Sequence, residues 1–310
     1  MPKKKNKRAA ALHLALPATS ANLGPAFDAA ALAIDLYIEI DARPAPEFSI
    51  RAAGRDSEIC RTLENHLILT TYRQILNTQA SEIVPLSLSI KNDIPIGKGC
   101  GSSAAARLAG IALANHFGRL GWTDVQIIGE AARLEHHPDN AAACWMGGLA
   151  VARMSGNAEA QVACIRPKGK WPLLLAVPDQ ALATEEARRV LPEQYSRADA
   201  VINIQNSMLL LAAFTQGRRE LLATALEDRI HQPYRTRLCP LLPALQEMAM
   251  TGAPGILGAA LSGAGPSVVI FLDPRASAQK TRRIVAQHLA SRNLQAELLL
   301  TSIAPRGGRD

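Results

Sequence analysis

Apolar and polar residues alternate along several short segments of the chain, which is the pattern of half-buried β-strands. In residues 31–42 the aliphatic side chains of Ile34, Leu36, Ile38 and Ile40 are each followed by a polar or aromatic one. Comparable segments predict strands at 12–16, 48–51, 86–90, 147–153, 173–177, 257–261 and 268–272. Helical spacing predicts helices at 65–76, 103–117, 123–136, 184–190, 199–216 and 277–289. The mixed order of strands and helices favours an α+β fold over a doubly wound parallel sheet.

The length of 310 residues allows two domains of ordinary size, since a single core would be strained at this length. The polar, glycine-containing segment at 155–170 is the best boundary between them. We therefore predict a disordered basic tail at 1–10, an N-terminal domain at 11–160 and a C-terminal domain at 161–310.

The net charge of +7 depends largely on five basic residues among the first eight, so it describes a solvated tail better than a nucleic-acid surface. Aromatic residues make up only 4% of the chain, which leaves no evident surface for stacking bases, and we expect no nucleic-acid partner. The longest nearly uncharged apolar stretch, 141–152, is too short to span a bilayer, so we expect no membrane association.

Five cysteines without a CxxC spacing are typical of buried thiols in a reducing compartment rather than of a metal site. The basic start is followed by a short Ala-Leu run that ends at Pro17, which does not make a signal peptide. We expect a cytoplasmic protein.

The segment Ile-Pro-Ile-Gly-Lys-Gly-Cys-Gly-Ser-Ser at 94–103 is the strongest candidate for chemistry. Glycines at 97, 99 and 101 expose the backbone, and a helix that begins at the serines would turn its N–H groups toward an anion. No Lys-Ser/Thr pair follows the last glycine, so this is not a Walker A loop. The segment indicates a phosphate site, with a serine-capped flexible turn as the alternative.

Three further segments carry polar residues in unusual settings. Residues 17–28 form a turn-rich loop with Asn22 and Asp28, either functional or simply turn-forming. Residues 135–140 place a carboxylate, imidazoles and an amide at a helix end, either as a site or as a solvent-facing cap. Adjacent histidines at 136 and 137 point apart, so zinc is not expected. Residues 261–267 form a glycine-rich turn between two apolar strands.

In their amino-acid sequences and their order along the chain, these four segments resemble the GHMP kinase superfamily, and within it the homoserine kinases most closely. The likeness rests on Pro-Ala-Thr-Ser-Ala-Asn-Leu-Gly-Pro at 17–25 with Phe27 and Asp28, and on Gly-x-Gly-Ser-Ser-Ala-Ala-Ala at 99–106. It also rests on His-Pro-Asp-Asn at 137–140 and Leu-Ser-Gly-Ala-Gly-Pro-Ser at 261–267, so it spans most of the chain.

The resemblance implies a two-domain enzyme whose N-terminal, ATP-binding domain is like the second domain of ribosomal protein S5 and whose C-terminal domain is ferredoxin-like. It implies transfer of the ATP γ-phosphoryl group to the side-chain hydroxyl of L-homoserine, a step of threonine biosynthesis. The implied ATP-binding residues are Asn65, Pro95, Gly97, Lys98, Gly99, Cys100, Gly101, Ser102 and Ser103. For Mg²⁺, which prefers hard oxygen ligands, the family pattern implies Ser102 or Ser103 together with Glu130. Glu135 is the alternative to Glu130.

For the amino-acid substrate the resemblance implies Asn22, Asp28, His137, Asp139, Thr184, Arg188 and Arg235. Two arginines suit the substrate carboxylate because a guanidinium can offer two parallel hydrogen bonds. Catalytic roles fall to Ser103, Glu130, Asn140 and Arg235. An amide cannot accept a proton, and phosphoryl transfer depends mainly on positioning and charge, so Asn140 predicts a reaction without a dedicated general base.

The chain departs from the family pattern at Ala26, Cys100 and His136. Cys100 in the phosphate loop predicts sensitivity to thiol reagents. The alternatives are a GHMP kinase for another small alcohol, such as mevalonate or a sugar, and a nucleotide-binding regulator that has lost catalysis. Related enzymes are often dimers, so a homodimer is expected as well.

Overall fold

The computed structural model describes residues 10–156 and 159–309 and contains two β-sheets with helices packed on them. The strands are β1 (Leu12–Asn22), β2 (Ala26–Pro44), β3 (Ser49–Gly54), β4 (Leu86–Asn92), β5 (Leu149–Met154), β6 (Ala160–Ile165), β7 (Pro172–Val177), β8 (Ile256–Leu261), β9 (Val268–Leu272) and β10 (Glu297–Ser302). The helices are α1 (Ser57–Arg61), α2 (Leu67–Thr78), α3 (Ser102–Gly118), α4 (Asp124–Glu135), α5 (Asp139–Met146), α6 (Thr184–Arg189), α7 (Arg197–Gln216), α8 (Leu222–Ala225), α9 (Gln232–Arg235), α10 (Leu241–Met250) and α11 (Ala278–Ala290).

The first sheet has the order β3-β4-β2-β5-β6, and β1 pairs antiparallel with β2. The alternating residues of β2 explain its central place, since Ile40 lies opposite Leu14 on one side and Ile90 on the other. Helices α2 to α5 cover the resulting apolar face. Helix α4 begins where predicted: Thr123 and Gln126 form a reciprocal capping box.

The second sheet has the order β10-β7-β9-β8 and all its pairs are antiparallel. Both faces of its inner strands are buried, so β9 contains only apolar residues instead of alternating. Leu173 and Leu175 of β7 contribute to the larger core, whereas Leu174 and Ala176 pack with α10 and α11 in a smaller one. The predicted α+β fold is therefore confirmed.

The structure also differs from the predicted elements. β1 does not stop at Pro17 but continues to Asn22 after a register shift at Pro17/Ala18. Elements that the apolar spacing did not predict are α1, α5, α8, α9, α10, β6 and β10. β6 pairs with β5, so the first sheet extends past the boundary predicted at residue 160 and ends at Ile165.

The predicted disordered tail at 1–10 lies outside the described residues except for Ala10. Within the part that the structure describes, no helix combines the length and apolarity needed to cross a membrane.

Candidate active site

The predicted phosphate loop lies between β4 and α3 and has the conformation that its glycines allow. Gly97, Gly99 and Gly101 have φ angles of 71°, 76° and 71°, in the left-handed region that other residues rarely adopt. Gly101 is the N-cap of α3, so the first N–H groups of a 17-residue helix open onto the loop. An anion at this position would meet both free N–H groups and the positive end of the helix dipole.

The glycine-rich turn at 262–267 packs directly on this loop. The Ser262 hydroxyl donates to the Gly99 carbonyl at 2.9 Å, and the Ser267 N–H donates to the Lys98 carbonyl at 3.3 Å. A Cβ atom at Gly99 would collide with the carbonyl oxygens of Ser262 and Gly265. The turn therefore requires glycine at 99 and fixes the loop from the side of the second sheet.

Two cavities meet at the start of α3, and both are lined by Gly97, Ser102 and Ser103. The larger one, of about 540 Å³, is mostly apolar, with Cys60, Asn65, Ile68, Ile96 and Ala106 in its wall. Its size and lining suit a flat heteroaromatic base. The structure thus brings Asn65 to a cavity beside the phosphate loop, as the resemblance implied.

Lys98 and Pro95 do not face the phosphate position as the glycines do. The Lys98 ammonium donates to the carbonyl of Asp179 in the loop after β7, and Pro95 is buried behind the phosphate loop. The Leu182 N–H donates to the Gly97 carbonyl at 3.2 Å. These two contacts connect the phosphate loop to the segment that leads into α6.

The smaller cavity, of about 110 Å³, is polar, and all seven residues implied for the substrate line it. Its lining includes Asn22, Asp28, His137, Asp139, Asn140, Thr184, Arg188 and Arg235, together with Glu135 and Phe27. These residues come from separate parts of the chain: the end of β1, the start of β2, the end of α4 with the segment after it, the start of α5, α6 and α9. The volume fits a small molecule rather than a polymer.

The two arginines of this cavity have different surroundings. Arg188 forms a bidentate ion pair with Asp28, at 2.7 and 3.0 Å, and although burial acts against its charge, this pairing raises its pKa. Arg235 is 1% exposed, and burial together with the charge of Arg188 lowers its pKa to about 10. It remains charged at neutral pH and is the stronger candidate for binding a ligand carboxylate.

His137, Asp139 and Asn140 are buried, which excludes the alternative of a solvent-facing helix cap. His137 Nδ1 lies 2.7 Å from Asp139 Oδ1, which also accepts the Asn140 N–H at 2.7 Å. Burial opposes a charged ring at His137, but the hydrogen bond and the negative charge of Asp139 raise its pKa overall. The Thr19 hydroxyl donates to Asn140 Oδ1 at 2.6 Å. The Asn140 amide nitrogen makes only a long hydrogen bond of 3.5 Å to Asp139 Oδ1, so it keeps an N–H group for a ligand oxygen.

The two glutamates considered for the metal occupy different faces of α4. Glu130 binds Arg133 through both carboxylate oxygens, at 2.6 and 2.9 Å, and does not line the cavity. Glu135 lines it, accepts a hydrogen bond from the Ser103 hydroxyl at 2.7 Å and also pairs with Arg107. Five helical residues separate the glutamates, a rotation of about 140°, so only one of them can face α3. The placement favours Glu135 over the predicted Glu130.

Comparison with known proteins identifies the family. The model of the GHMP kinases N terminal domain matches residues 66–148, and the GHMP kinases C terminal model matches residues 210–291. A homoserine kinase of Solibacter usitatus is 43% identical over 296 residues, which cover 95% of each chain. The chain belongs to the homoserine kinase family of GHMP kinases. A homoserine kinase of Synechococcus is 35% identical and covers 93% of this chain and 94% of its own.

Solved structures show that the homoserine kinase family fold extends over the whole chain. Homoserine kinase from Cytophaga hutchinsonii superposes with a TM-score of 0.80 at 23% identity, covering 99% of this chain and 98% of its own. The L. major mevalonate kinase, solved in complex with R-mevalonate, superposes with a TM-score of 0.71 at 16% identity, covering 98% and 99%. At these identities the two likenesses concern the fold alone.

The structure shows the surroundings of all three departures from the homoserine kinase family pattern. His136 is the C-cap of α4 with φ 67°, a position that favours glycine, while Ala26 has no such angle and tolerates its side chain. Cys100 is 0% exposed, and burial raises the pKa of its thiol to about 12. The predicted sensitivity of this loop to thiol reagents is therefore wrong, since neither access nor thiolate is available.

We expect a thiol reagent to react with Cys164, which is exposed, and not with Cys100 in the folded protein. Titration with Ellman's reagent should show a fast reaction that the substitution Cys164→Ser removes, and ATP should not change its rate. A fast reaction that persists in Cys164→Ser and disappears with ATP would contradict the buried position of Cys100.

The sequence reasoning assigned no role to three residues that the structure places at the site. Thr19 orients Asn140, Phe27 lies under both arginines with its ring centre 5.4 Å from each guanidinium carbon, and His231 contacts Arg235. Thr19 and Phe27 belong to the quoted family segments, which was the available signal. The roles of Thr19 and Phe27 depend on contacts with residues that are distant in sequence, and the side chains themselves do not indicate those contacts.

Proposed function

We propose that this chain transfers the γ-phosphoryl group of ATP to the side-chain hydroxyl of L-homoserine and releases O-phospho-L-homoserine. The main support for this proposal is that one small polar cavity, beside the phosphate loop, is lined by two arginines together with Asp28 and Asp139. A zwitterionic amino acid needs such a combination, with cations for its carboxylate and carboxylates for its ammonium group. The names of the full-length relatives support the same substrate.

The site accelerates the reaction by holding the two substrates together and by stabilising charge. The N–H groups at the start of α3 bind the phosphates, Arg235 binds the acceptor carboxylate, and Asn140 and Asp139 contact the acceptor hydroxyl side. Phosphoryl transfer passes through a loose transition state, for which orientation and charge stabilisation supply most of the acceleration. No dedicated general base is required in this arrangement.

The residues beside α3 also fit a magnesium ion. The Ser102 and Ser103 hydroxyls and the Glu135 carboxylate are hard oxygen donors at the cavity where the phosphates would lie. Mg²⁺ would neutralise phosphate charge there, and Glu135 and Ser102 would hold it.

We expect Glu135→Gln to raise the Mg²⁺ concentration needed for half-maximal activity on the order of tenfold or more, because an amide is a poorer ligand for a hard cation. Glu130→Gln is the matched control: it lies on the same helix but its carboxylate is bound by Arg133. Activity measured against Mg²⁺ at fixed ATP distinguishes them. A larger rise in the required Mg²⁺ concentration for Glu130→Gln would instead assign Glu130 as the metal ligand.

We expect Asn140→Asp to lower kcat, on the order of 10²-fold, rather than to supply a missing base. A carboxylate at this position would lie against buried Asp139 and would repel the incoming phosphates. Steady-state kinetics with Asn140→Ser as the uncharged comparison test this. A kcat above that of the unaltered chain would show that proton removal limits the reaction.

The deciding experiment for the function is a phosphorylation screen with MgATP and homoserine, serine, threonine, mevalonate and galactose. Homoserine should give the highest kcat/KM. Preference for mevalonate or galactose would identify a GHMP kinase for another small alcohol, and no turnover of any acceptor despite ATP binding would indicate a catalytically inactive regulator.

Three finer assignments belong to this proposal. The product would serve threonine biosynthesis, and such a biosynthetic enzyme would work in the cytoplasm. A homodimer stays a prediction, which light scattering of the purified chain would test.

A further inference from the structure

The Arg235 side chain is held by hydrogen-bond acceptors that carry no charge. Its Nε donates to the Ala187 carbonyl at 2.9 Å, and its Nη1 donates to the Gly263 carbonyl at 3.3 Å and to His231 Nδ1 at 3.2 Å. Among the described residues no carboxylate hydrogen-bonds to this guanidinium, and Nη2 has no protein partner. The positive charge is therefore positioned without being neutralised.

The hydrogen bonds of His231 determine which of its ring nitrogens carries the proton. Nε2 lies 2.8 Å from the Gly24 carbonyl, which can only accept, so Nε2 is protonated. Nδ1 of the neutral ring is then an acceptor, as its contact with the guanidinium requires, because arginine can only donate. Burial and the positive charge of Arg235 lower the pKa of His231, although the Asp228 carboxylate 3.5 Å from Nε2 acts the other way, which agrees with a neutral ring.

The surroundings of His231 fix the ring in this position. It is 0% exposed and stacks on Phe27 at 5.2 Å between ring centres. Buried Asp228 accepts the N–H groups of Ile230, His231 and Gln232, which sets the turn into α9 and so the spacing from His231 to Arg235.

We propose that His231 is a positioning residue for the acceptor carboxylate: its Nδ1 lone pair orients Nη1 of Arg235 while leaving the guanidinium charge for the ligand. An acidic residue at this place would hold the arginine as well but would cancel its charge. A protonated histidine would repel it. A neutral, buried imidazole meets both requirements. The proposal rests on the proposed function, since the carboxylate is that of the homoserine acceptor.

The test compares His231→Asn with His231→Gln, since the asparagine amide can occupy the place of Nδ1 and the glutamine amide that of Nε2. We expect His231→Gln to raise the homoserine KM about tenfold with the ATP KM unchanged. His231→Asn should stay within about threefold of the unaltered chain. Homoserine binding measured by calorimetry should show that His231→Gln causes no further loss in an Arg235→Met background.

Three results would overturn the proposal: an unchanged homoserine KM in His231→Gln, a full additional loss in the Arg235→Met background, or loss of homoserine binding in folded His231→Asn. Melting temperatures identify a variant that fails to fold. If His231→Gln fails to fold, homoserine binding by His231→Asn still tests the proposal. Failure of the proposed function is distinguishable, because the unaltered chain itself would not phosphorylate homoserine.

Discussion

Arg235→Met should raise the homoserine KM on the order of 10²-fold and leave the ATP KM unchanged, because it removes a desolvated cation that faces the substrate carboxylate. Arg235 lies in the acceptor cavity and has no contact with the phosphate loop among its hydrogen bonds. Arg235→Lys should lose nearly as much, since a point charge cannot keep the Ala187 and His231 contacts and also reach the ligand. Steady-state kinetics at saturating ATP measure both effects.

The matched control is Arg237→Met, which removes an exposed arginine two residues further along the chain. It should leave both KM values unchanged. Methionine fills much of the space of the arginine, but it leaves the Ala187 and Gly263 carbonyls and His231 Nδ1 without a donor, so Arg235→Met should also lower the melting temperature. Kinetics measured well below that melting temperature separate lost binding from lost folding, and an unchanged homoserine KM in folded Arg235→Met would refute the carboxylate assignment.

The regular elements were predictable wherever one periodicity governed a segment. The alternation in β2 and the capping pair at Thr123 are local signals, and both appear in the structure. β6 and β10 were not predicted, because sheet edges and short strands bury too few residues to impose alternation. α5 was missed because its residues are small and almost all buried, so a 3.6-residue pattern has no polar face to reveal it.

The residues that the structure gathers at the candidate site could be named from the family segments, but the contacts between them could not. The glycines of the loop and the residues of the acceptor cavity lie together as the resemblance implied. The choice between Glu130 and Glu135 depends on which face of α4 meets α3, and two charged residues on one helix give no sign of that. Cys100 looked reactive in a glycine-rich loop, whereas packing against Ser267 and burial make it inert.

Gly101→Ala should abolish most of the activity, because this glycine lies against Thr19, which holds the Asn140 amide to which we assign a role in catalysis. A Cβ atom at residue 101 would fall on the Thr19 hydroxyl, which donates to Asn140 Oδ1. The substitution must displace either the start of α3 or Thr19, and a displacement of about 1 Å at such a site can cost on the order of 10²-fold in rate. We expect kcat to fall by about that factor, with a destabilisation of about 1–3 kcal/mol from overpacking.

Gly121→Ala is the control that separates the steric contact from backbone strain. Gly121 has nearly the same φ, 69° against 71°, but among the described residues no atom beyond its two chain neighbours lies within 4 Å of a Cβ there. It should therefore show only the cost of the left-handed conformation, about 1–2 kcal/mol, with normal kcat. Thermal unfolding and kcat of the two variants together test the argument: equal losses of stability with equal, normal activity would mean that Thr19 moves aside freely and does not orient Asn140.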